Sequence, residues 1–337
     1  MARREIVAIS IMIVFGFSIL ISIPIILISF GYSPYNNIGY RSPPIDEVFN
    51  SSKVVDLNLN VGIGNVDIHY IYSPVEYHMR IDIDIDMIGQ NVPEKDYTDY
   101  FSIEWEKINN SFTFSLELIP NSGYNDTFWI RNDVKIIVSL NPIIIFNING
   151  KINVEGDFNL QVLGGIAVNN IDLYTKRGNI ILEFSFCNIG GNISGKSGAG
   201  DIELNSVNVQ YSRDCVWNLI TNPNFEVHDI SDILINIIQN VALNINITGT
   251  ANTTFGDITL YYTDTTPYVG ANFTFYTREP SGGSEGFEDG HDTDTSKWWQ
   301  ARWYYYSNDY PAVGNYNISC YTLTEGYGTY FINLKNE

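Results

Sequence analysis

Cysteine is nearly missing from this chain: three in 337 residues, at Cys187, Cys215 and Cys320. None sits in a CxxC pair and none has zinc-ligand spacing. A disulfide framework and a structural zinc site are therefore excluded, while one bridge with a free thiol and three buried thiols both stay open. Histidine is almost as sparse, with His69, His78, His228 and His291, and no HExxH, GxSxG or P-loop phrase occurs. A Ser-His-Asp set is defined by geometry, so composition cannot supply one. Basic residues are few: 18 Lys and Arg stand against 38 Asp and Glu, a formal net charge of −20. That surface repels phosphate backbones and excludes nucleic acid as a partner. It equally disfavours anionic headgroups, and its carboxylates read as a solvated surface that prevents association, with a reservoir for divalent cations as the alternative. Alanine and other strong helix formers are thin outside the N-terminus, which leaves little material for helices.

What fills the space is strand-forming. Tyr and Phe number 23 and 18, and Ile and Asn are frequent. One phrase recurs: Gly64-Asn65-Val66-Asp67-Ile68, Gly178-Asn179-Ile180-Ile181-Leu182, Gly200-Asp201-Ile202-Glu203-Leu204 and Gly256-Asp257-Ile258-Thr259-Leu260. Gly followed by Asn or Asp tolerates φ > 0 and opens a tight turn, and the alternation after it puts Ile and Leu on one strand face. Looser copies lie at Asn170-Ile171-Asp172-Leu173 and Gly191-Asn192-Ile193-Ser194. Ile171 to Ile193 is 22 residues, as is Ile180 to Ile202. A coil of that length with two or three short strands describes a β-solenoid, in which Asn side chains stack at equivalent corners. Ahead of it, Val54 to about Leu140 alternates cleanly, as an antiparallel sheet with one wet face does, and Asn109-Asn110 reads as a hairpin turn.

Ile6 to Phe30 carries no charge over 25 residues, long enough to cross a bilayer as a retained helix, with a signal cleaved at the small-x-small triplet Ser29-Phe30-Gly31 as the alternative. Arg3 and Arg4 precede it and only Arg41 follows nearby, which places the N-terminus in the cytoplasm and the rest outside. The sequence thus divides into a cytoplasmic stub (1–5), a transmembrane anchor (6–30), an extended stalk (31–53), a β-repeat ectodomain (54–277), an acidic Gly/Ser loop (278–297) and aromatic-rich strands that cap it (298–337). Sequons begin at Asn50, Asn109, Asn125, Asn192, Asn246, Asn252, Asn272 and Asn317, with none in the apolar run, as in a glycosylated exterior protein.

The G-[ND]-[IV]-x-[LI] strands, and the opening Val54-Val55-Asp56-Leu57-Asn58-Leu59-Asn60-Val61-Gly62-Ile63-Gly64-Asn65-Val66, resemble the β-strand-repeat putative-adhesin family of bacteria and archaea over roughly residues 54–262. That resemblance implies a right-handed, partly solenoidal all-β ectodomain with no assigned catalytic residue. The fold class is then all-β: antiparallel strands leading into an irregular right-handed β-solenoid, preceded by one N-terminal transmembrane helix. The function expected is structural or adhesive at the cell surface, with a polysaccharide-binding or polysaccharide-cleaving β-helix as the alternative.

Candidate chemistry is sparse. Solenoid enzymes cleave polysaccharides with paired carboxylates. Asp201 and Asp257, however, occupy a turn position that every repeat demands, and Asp82, Asp84 and Asp86 alternate with Ile as the wet face of a strand. Asp289, Asp292 and Asp294 have the density of a calcium loop without EF-hand spacing, so calcium competes there with plain solvation. Trp298, Trp299 and Arg302, in a segment that continues to Trp303 and Tyr304–Tyr306, suit sugar stacking, or else cover the open end of the coil stack. No catalytic or cofactor residue is assigned. The partners expected are the membrane, through the N-terminal helix, and a cell-surface protein or glycan. The sequence leaves oligomeric state open.

Overall fold

The structure is a computed structural model that describes residues 36–50, 53–72, 77–124, 128–213, 215–221, 230–241, 243, 246–254, 256–264, 269–278, 286–289, 298–301, 304–307, 316–325 and 329–336, apart from 91–95; from residue 264 on, the backbone alone is described. The apolar run Ile6–Phe30 lies outside these residues. Among the described residues no helix is long and apolar enough to cross a membrane.

The described chain is all-β. It opens with β1 (Asn36–Arg41), β2 (Ile45–Glu47), β3 (Val55–Ile63), β4 (Asn65–Tyr70), β5 (Met79–Gln90), β6 (Phe101–Ile108), β7 (Ser111–Leu118) and β8 (Phe128–Leu140). Shorter strands follow: β9 (Phe146–Glu155), β10 (Phe158–Leu163), β11 (Ala167–Val168), β12 (Ile171–Thr175), β13 (Ile180–Ser185), β14 (Asn188–Ile189), β15 (Ile193–Ser197), β16 (Ile202–Val207), β17 (Gln210–Tyr211), β18 (Cys215–Thr221), β19 (Ile233–Ile238), β20 (Ile247–Thr253) and β21 (Ile258–Asp264). The last are β22 (Val269–Arg278), β23 (Gly286–Asp289), β24 (Trp298–Ala301), β25 (Tyr304–Ser307), β26 (Tyr316–Glu325) and β27 (Thr329–Asn336).

These strands form three sheets. The first runs β1-β5-β8-β4-β10-β13-β16-β19-β21-β27-β23, with β2 also on β5; the second runs β24-β25-β22-β26-β20-β18-β15-β12-β9-β3-β7-β6; the third is β11-β14-β17. Each pass of the chain visits the second sheet, then the first, and in three passes the third. Successive passes pair in parallel, Ile171 with Ile193 and Ile180 with Ile202, so the 22-residue spacing in the sequence is one full pass. Inward positions stack apolar on apolar. Phe158, Ile180, Ile202, Ile233 and Ile258 are register neighbours, as are Leu160, Leu182, Leu204, Ile235 and Leu260, and all are buried. At roughly 1.5–3 kcal/mol per buried aliphatic side chain, these columns are the main source of stability.

Three features differ from the sequence reading. The opening strands β3 and β4 are not antiparallel to their neighbours: β3 lies parallel to β7 and β9, and β4 parallel to β8 and β10. They are the first pass of the repeat, and β5–β8 are an excursion laid over its end, where β5 and β8, and β6 and β7, do pair antiparallel. Alternation fixes which face is buried, not strand direction. Within 31–53, expected as a stalk, β1 and β2 pair antiparallel with β5 and bury Ile38, Ile45 and Phe49. The prolines between them, Pro43 and Pro44, bridge two strands rather than extending a linker. The C-terminal strands expected to cap the ectodomain are partly inserted in it: β26 and β27 pair in parallel with β20 and β21, and β22, β25, β24 and β23 lie outside them. The Asn109-Asn110 turn between β6 and β7 is as expected, with Asn109 at φ 56°.

Candidate functional site

The recurring Gly-Asn/Asp phrase forms the corner between the second and first sheets. Gly156, Gly178 and Gly200 all have φ between +137° and +148°. A side chain would also collide there: a Cβ on Gly178 would lie 2.1 Å from the carbonyl oxygen of Gly156, and one on Gly200 2.2 Å from that of Gly178. The next residue of each phrase reaches one pass onward. Its Oδ1 accepts the backbone N–H of its equivalent, from Asn65 to Asp157 (3.0 Å), Asp157 to Asn179 (2.6 Å), Asn179 to Asp201 (2.8 Å), Asp201 to Asp232 (2.8 Å) and Asp232 to Asp257 (2.7 Å). Asp201 and Asp257 are thus members of a side-chain-to-backbone ladder, the turn-forming role their spacing indicates.

A second ladder lies behind the first and has no conspicuous sequence signal. Thr175, Ser197, Thr221 and Thr253 are register neighbours on the inner face of the second sheet and are buried. Their hydroxyls donate to corner carbonyls: Thr175 to Gly156 (2.8 Å), Ser197 to Gly178 (2.8 Å), and Thr221 and Thr253 to Ser231 (3.3 and 3.0 Å). A lone Thr or Ser ending a strand is too common in sequence to stand out; only the register shows that these four stack. At the other end of the second sheet a third ladder runs from Asn147 to Asn170, Asn192 and Val216, each side-chain oxygen accepting the next backbone N–H at 3.0–3.2 Å.

Because glycine lines the first corner, a groove of about 480 Å³ follows it, walled by Asn65, Asn132, Glu155, Asp157, Arg177 and Ile230. Its polar groups suit hydrogen bonding to a polar ligand. Of its two carboxylates, Asp157 is already committed through Oδ1 to Asn179. A smaller cleft of about 270 Å³ lies between β1–β2 and β6, lined by Tyr40, Ile45, Ile83, Ile103 and Trp105.

Electrostatics follow from crowding. Asp232 reaches the surface, yet partial burial of its carboxyl, with the neighbouring Asp201 and Asp257 carboxylates, pushes its pKa upward. Burial pushes both the Cys187 and Cys215 thiols up to about 12. These two cysteines are free and buried, which removes a bridge between them, and neither is a reactive thiolate near neutral pH. The Cys320 side chain lies outside the described residues.

The remaining candidates scatter. His69 Nε2 and Ser139 Oγ share a hydrogen bond of 3.2 Å, but they are register partners on β4 and β8, and no described carboxylate orients the ring as a triad requires. His78 Nδ1 accepts the Phe49 N–H at 2.8 Å. His228 and His291 lie outside the described residues. Asp82, Asp84 and Asp86 alternate with buried Ile on β5, a solvated face. Asp289 falls on β23, the outer strand of the first sheet, while Asp292 and Asp294 lie outside the described residues. Among the described residues no three His, Cys, Asp or Glu side chains gather to hold a metal ion. Trp298 and Trp299 fall on β24, the edge of the second sheet, opposite Ser307 and Tyr306; their side chains, and all of Arg302 and Trp303, lie outside the description. Of the sequons, Asn50, Asn109, Asn192 and Asn246 are exposed and Asn252 is half-buried. Asn125 lies outside, and Asn272 and Asn317 are described by backbone only.

No family model matches the chain, and no curated protein matches it. Among solved structures, a putative cell adhesion protein from Clostridium sporogenes aligns over 90% of this chain and 100% of its own, at 12% identity and a TM-score of 0.35. A putative adhesin from Bacteroides fragilis covers 88% of this chain and 97% of its own at 13% identity and a TM-score of 0.35. Another from Parabacteroides merdae covers 87% and 96% at 13% identity and a TM-score of 0.22. Superpositions this loose transfer no function.

Proposed function

We propose that the chain is a membrane-anchored surface protein whose ectodomain, a right-handed β-solenoid, acts by structure or adhesion on the cell exterior, without catalysis. The observation that carries this reading is the use of the repeat residues. Asn65, Asp157, Asn179, Asp201 and Asp232 each hold the backbone of the next pass, so the residues the sequence repeats build a rod and its exposed faces rather than a reaction centre. The anchor rests on the apolar run Ile6–Phe30 behind Arg3 and Arg4, and the outside location on the same charge bias together with the sequons. Glycans on Asn50, Asn109, Asn192 and Asn246 fit this reading, since all four are exposed. Calcium at Asp289, Asp292 and Asp294 and sugar stacking by Trp298, Trp299 and Arg302 stay as proposals.

Protease added to intact cells tests the topology: it should digest the chain beyond residue 31 and leave the apolar segment in the membrane. Full protection of the chain would refute it. Comparing attachment of cells with and without the protein tests the role, and equal attachment to every surface tried would remove the adhesive part.

A further inference from the structure

We propose that the outer face of the second sheet, centred on Tyr174 between Lys151 and Lys196, binds a uronate-bearing polysaccharide strand, an inference that rests on the surface role above. The three residues are register neighbours on β9, β12 and β15 and point outward. Lys151 Nζ lies 6.0 Å from the Tyr174 ring centroid, so a cation already borders the aromatic face. Neither lysine has a carboxylate partner among the described residues. Ion pairs are made by Arg80, Lys107, Arg131 and Lys135, all in the N-terminal excursion, whereas Lys53, Lys176, Arg177 and Arg213 share with these two lysines the lack of a carboxylate partner among the described residues.

What sets Lys151 and Lys196 apart on a chain of net charge −20 is their place on either side of an outward aromatic ring, and the charge of the two sheet faces adds to it. In the same passes the first sheet turns Glu183 and Glu203 outward, while the second turns out Lys151 and Lys196. The carboxylates near the lysines are Asp172, one row away, Glu155, at the glycine corner, and Glu117, which accepts a hydrogen bond from Asn60, the register neighbour of Lys151. Screening at physiological salt acts over about 8 Å, so an approaching ligand feels this face more than the distant acids. Strands stack about 4.8 Å apart, which sets the backbones of the two lysines, two strands apart in one column, roughly 10 Å apart, near the length of a disaccharide.

The rest of the face suits a sugar. Beside Tyr174 runs a row of register neighbours, Asn149, Asp172, Ser194, Asn218 and Thr250, offering amides and hydroxyls to ring hydroxyls. The Ser194 hydroxyl is buried in this row without a hydrogen-bond partner. The Tyr174 ring gives a sugar an apolar surface to stack on, and the lysines pair with its carboxylates. An acidic peptide fits less well. Extended peptides are captured through backbone pairing at a free sheet edge, and β9, β12 and β15 are paired on both sides.

The test is calorimetric titration of the full-length chain in nanodiscs with oligogalacturonate, neutral dextran and polyglutamate. Oligogalacturonate should bind, more weakly at higher salt, and dextran and polyglutamate should not. Lys151→Gln with Lys196→Gln should weaken binding at least about tenfold, given two lost charge-assisted contacts. Tyr174→Ala should weaken it also, with the melting temperature of each variant checked against the wild type. If the double variant melts early, Lys196→Gln alone carries the test. No binding of oligogalacturonate, unchanged binding by a stable variant, or equal binding of polyglutamate would each overturn the site. Attachment of cells that survives both the variant and free oligogalacturonate, with no oligogalacturonate bound in the titration, overturns the site while leaving the surface role standing. Equal attachment of cells with and without the protein, with oligogalacturonate bound by the wild type and not by the variant, keeps the site and removes the adhesive role.

Discussion

The passes between residues 146 and 263 and the excursion of β5–β8 close the same core with different bonds. In the passes, polar groups at the corners bond to their own equivalents one pass onward: Asn and Asp oxygens to backbone N–H groups, Thr and Ser hydroxyls to backbone carbonyls. In the excursion the bonds join unlike segments. Arg80 pairs with Asp46 at 2.7 Å, Lys107 with Glu47 at 2.9 Å, Arg131 with Asp86 at 2.6 Å and Lys135 with Asp67 at 2.8 Å. Edge-to-face rings add to them, Tyr100 on Trp129 at 5.5 Å and Phe101 on Tyr124 at 6.1 Å. The difference follows from who the neighbour is. A residue that stacks on its own kind cannot use charge, since like charges repel, so it must carry an acceptor for a backbone donor or a donor for a backbone acceptor. A residue that meets a different segment can use opposite charges. Asp201, Asp232 and Asp257 break this rule, and the pKa of Asp232 is raised, first by burial of its carboxyl and then by these neighbouring charges.

The largest way to break the comparison is at a corner glycine. Gly178→Val combines a left-handed backbone with a collision against Gly156 and should cost roughly 2–6 kcal/mol, enough to prevent folding. A wild-type melting temperature would show the corner to be softer than its geometry. Next comes the hydroxyl ladder. Thr175→Val keeps the shape but leaves the Gly156 carbonyl without its donor, at about 1–3 kcal/mol by denaturant unfolding. A neutral outcome there would mean the corner carbonyl finds another donor.

The acidic stretch sharpens the contrast. Asn65 and Asn179 already do with an amide what Asp232 does with a carboxylate, so Asp232→Asn should keep the ladder and remove repulsion. Because the folded-state pKa of Asp232 is raised, its contribution is favourable below the ordinary carboxylate pKa and is lost as pH rises through the folded value. The variant should therefore be more stable than wild type at about pH 7, by under ~1 kcal/mol for an exposed group, and no more stable at about pH 3. Equal melting temperatures at both would show that neither burial nor the neighbouring carboxylates penalise the charged form of Asp232. Smallest of all, Arg131→Ala should cost a few tenths of a kcal/mol, vanishing in about 1 M salt, because this pair is well exposed.

Much of this was legible in the residues. Ile180 and Leu182, with Ile202 and Leu204, read as one buried face, and the register pairs them as the 22-residue spacing requires. Asp201 and Asp257 read as turn formers, and both sit in the corner ladder. The hydroxyl ladder was not legible, because Thr175 and Thr221 acquire meaning only when stacked on the same column as Ser197. The Lys151–Tyr174–Lys196 column was hidden for the same reason: its members are 23 and 22 residues apart, in phrases with no common motif.

The sequence by itself determined the all-β class, the inward and outward sides of each strand and the length of a pass, because alternation and glycine turns are local properties of the chain. Only the tertiary structure decided that β3 and β4 run parallel to their neighbours, that β1 and β2 join the first sheet, and that β26 and β27 follow β20 and β21 in space although β22 follows β21 in sequence. A strand carries the same alternating pattern whichever way its neighbour runs. The direction and identity of that neighbour come from the path of the connecting chain and from which apolar edge is still uncovered when the strand arrives.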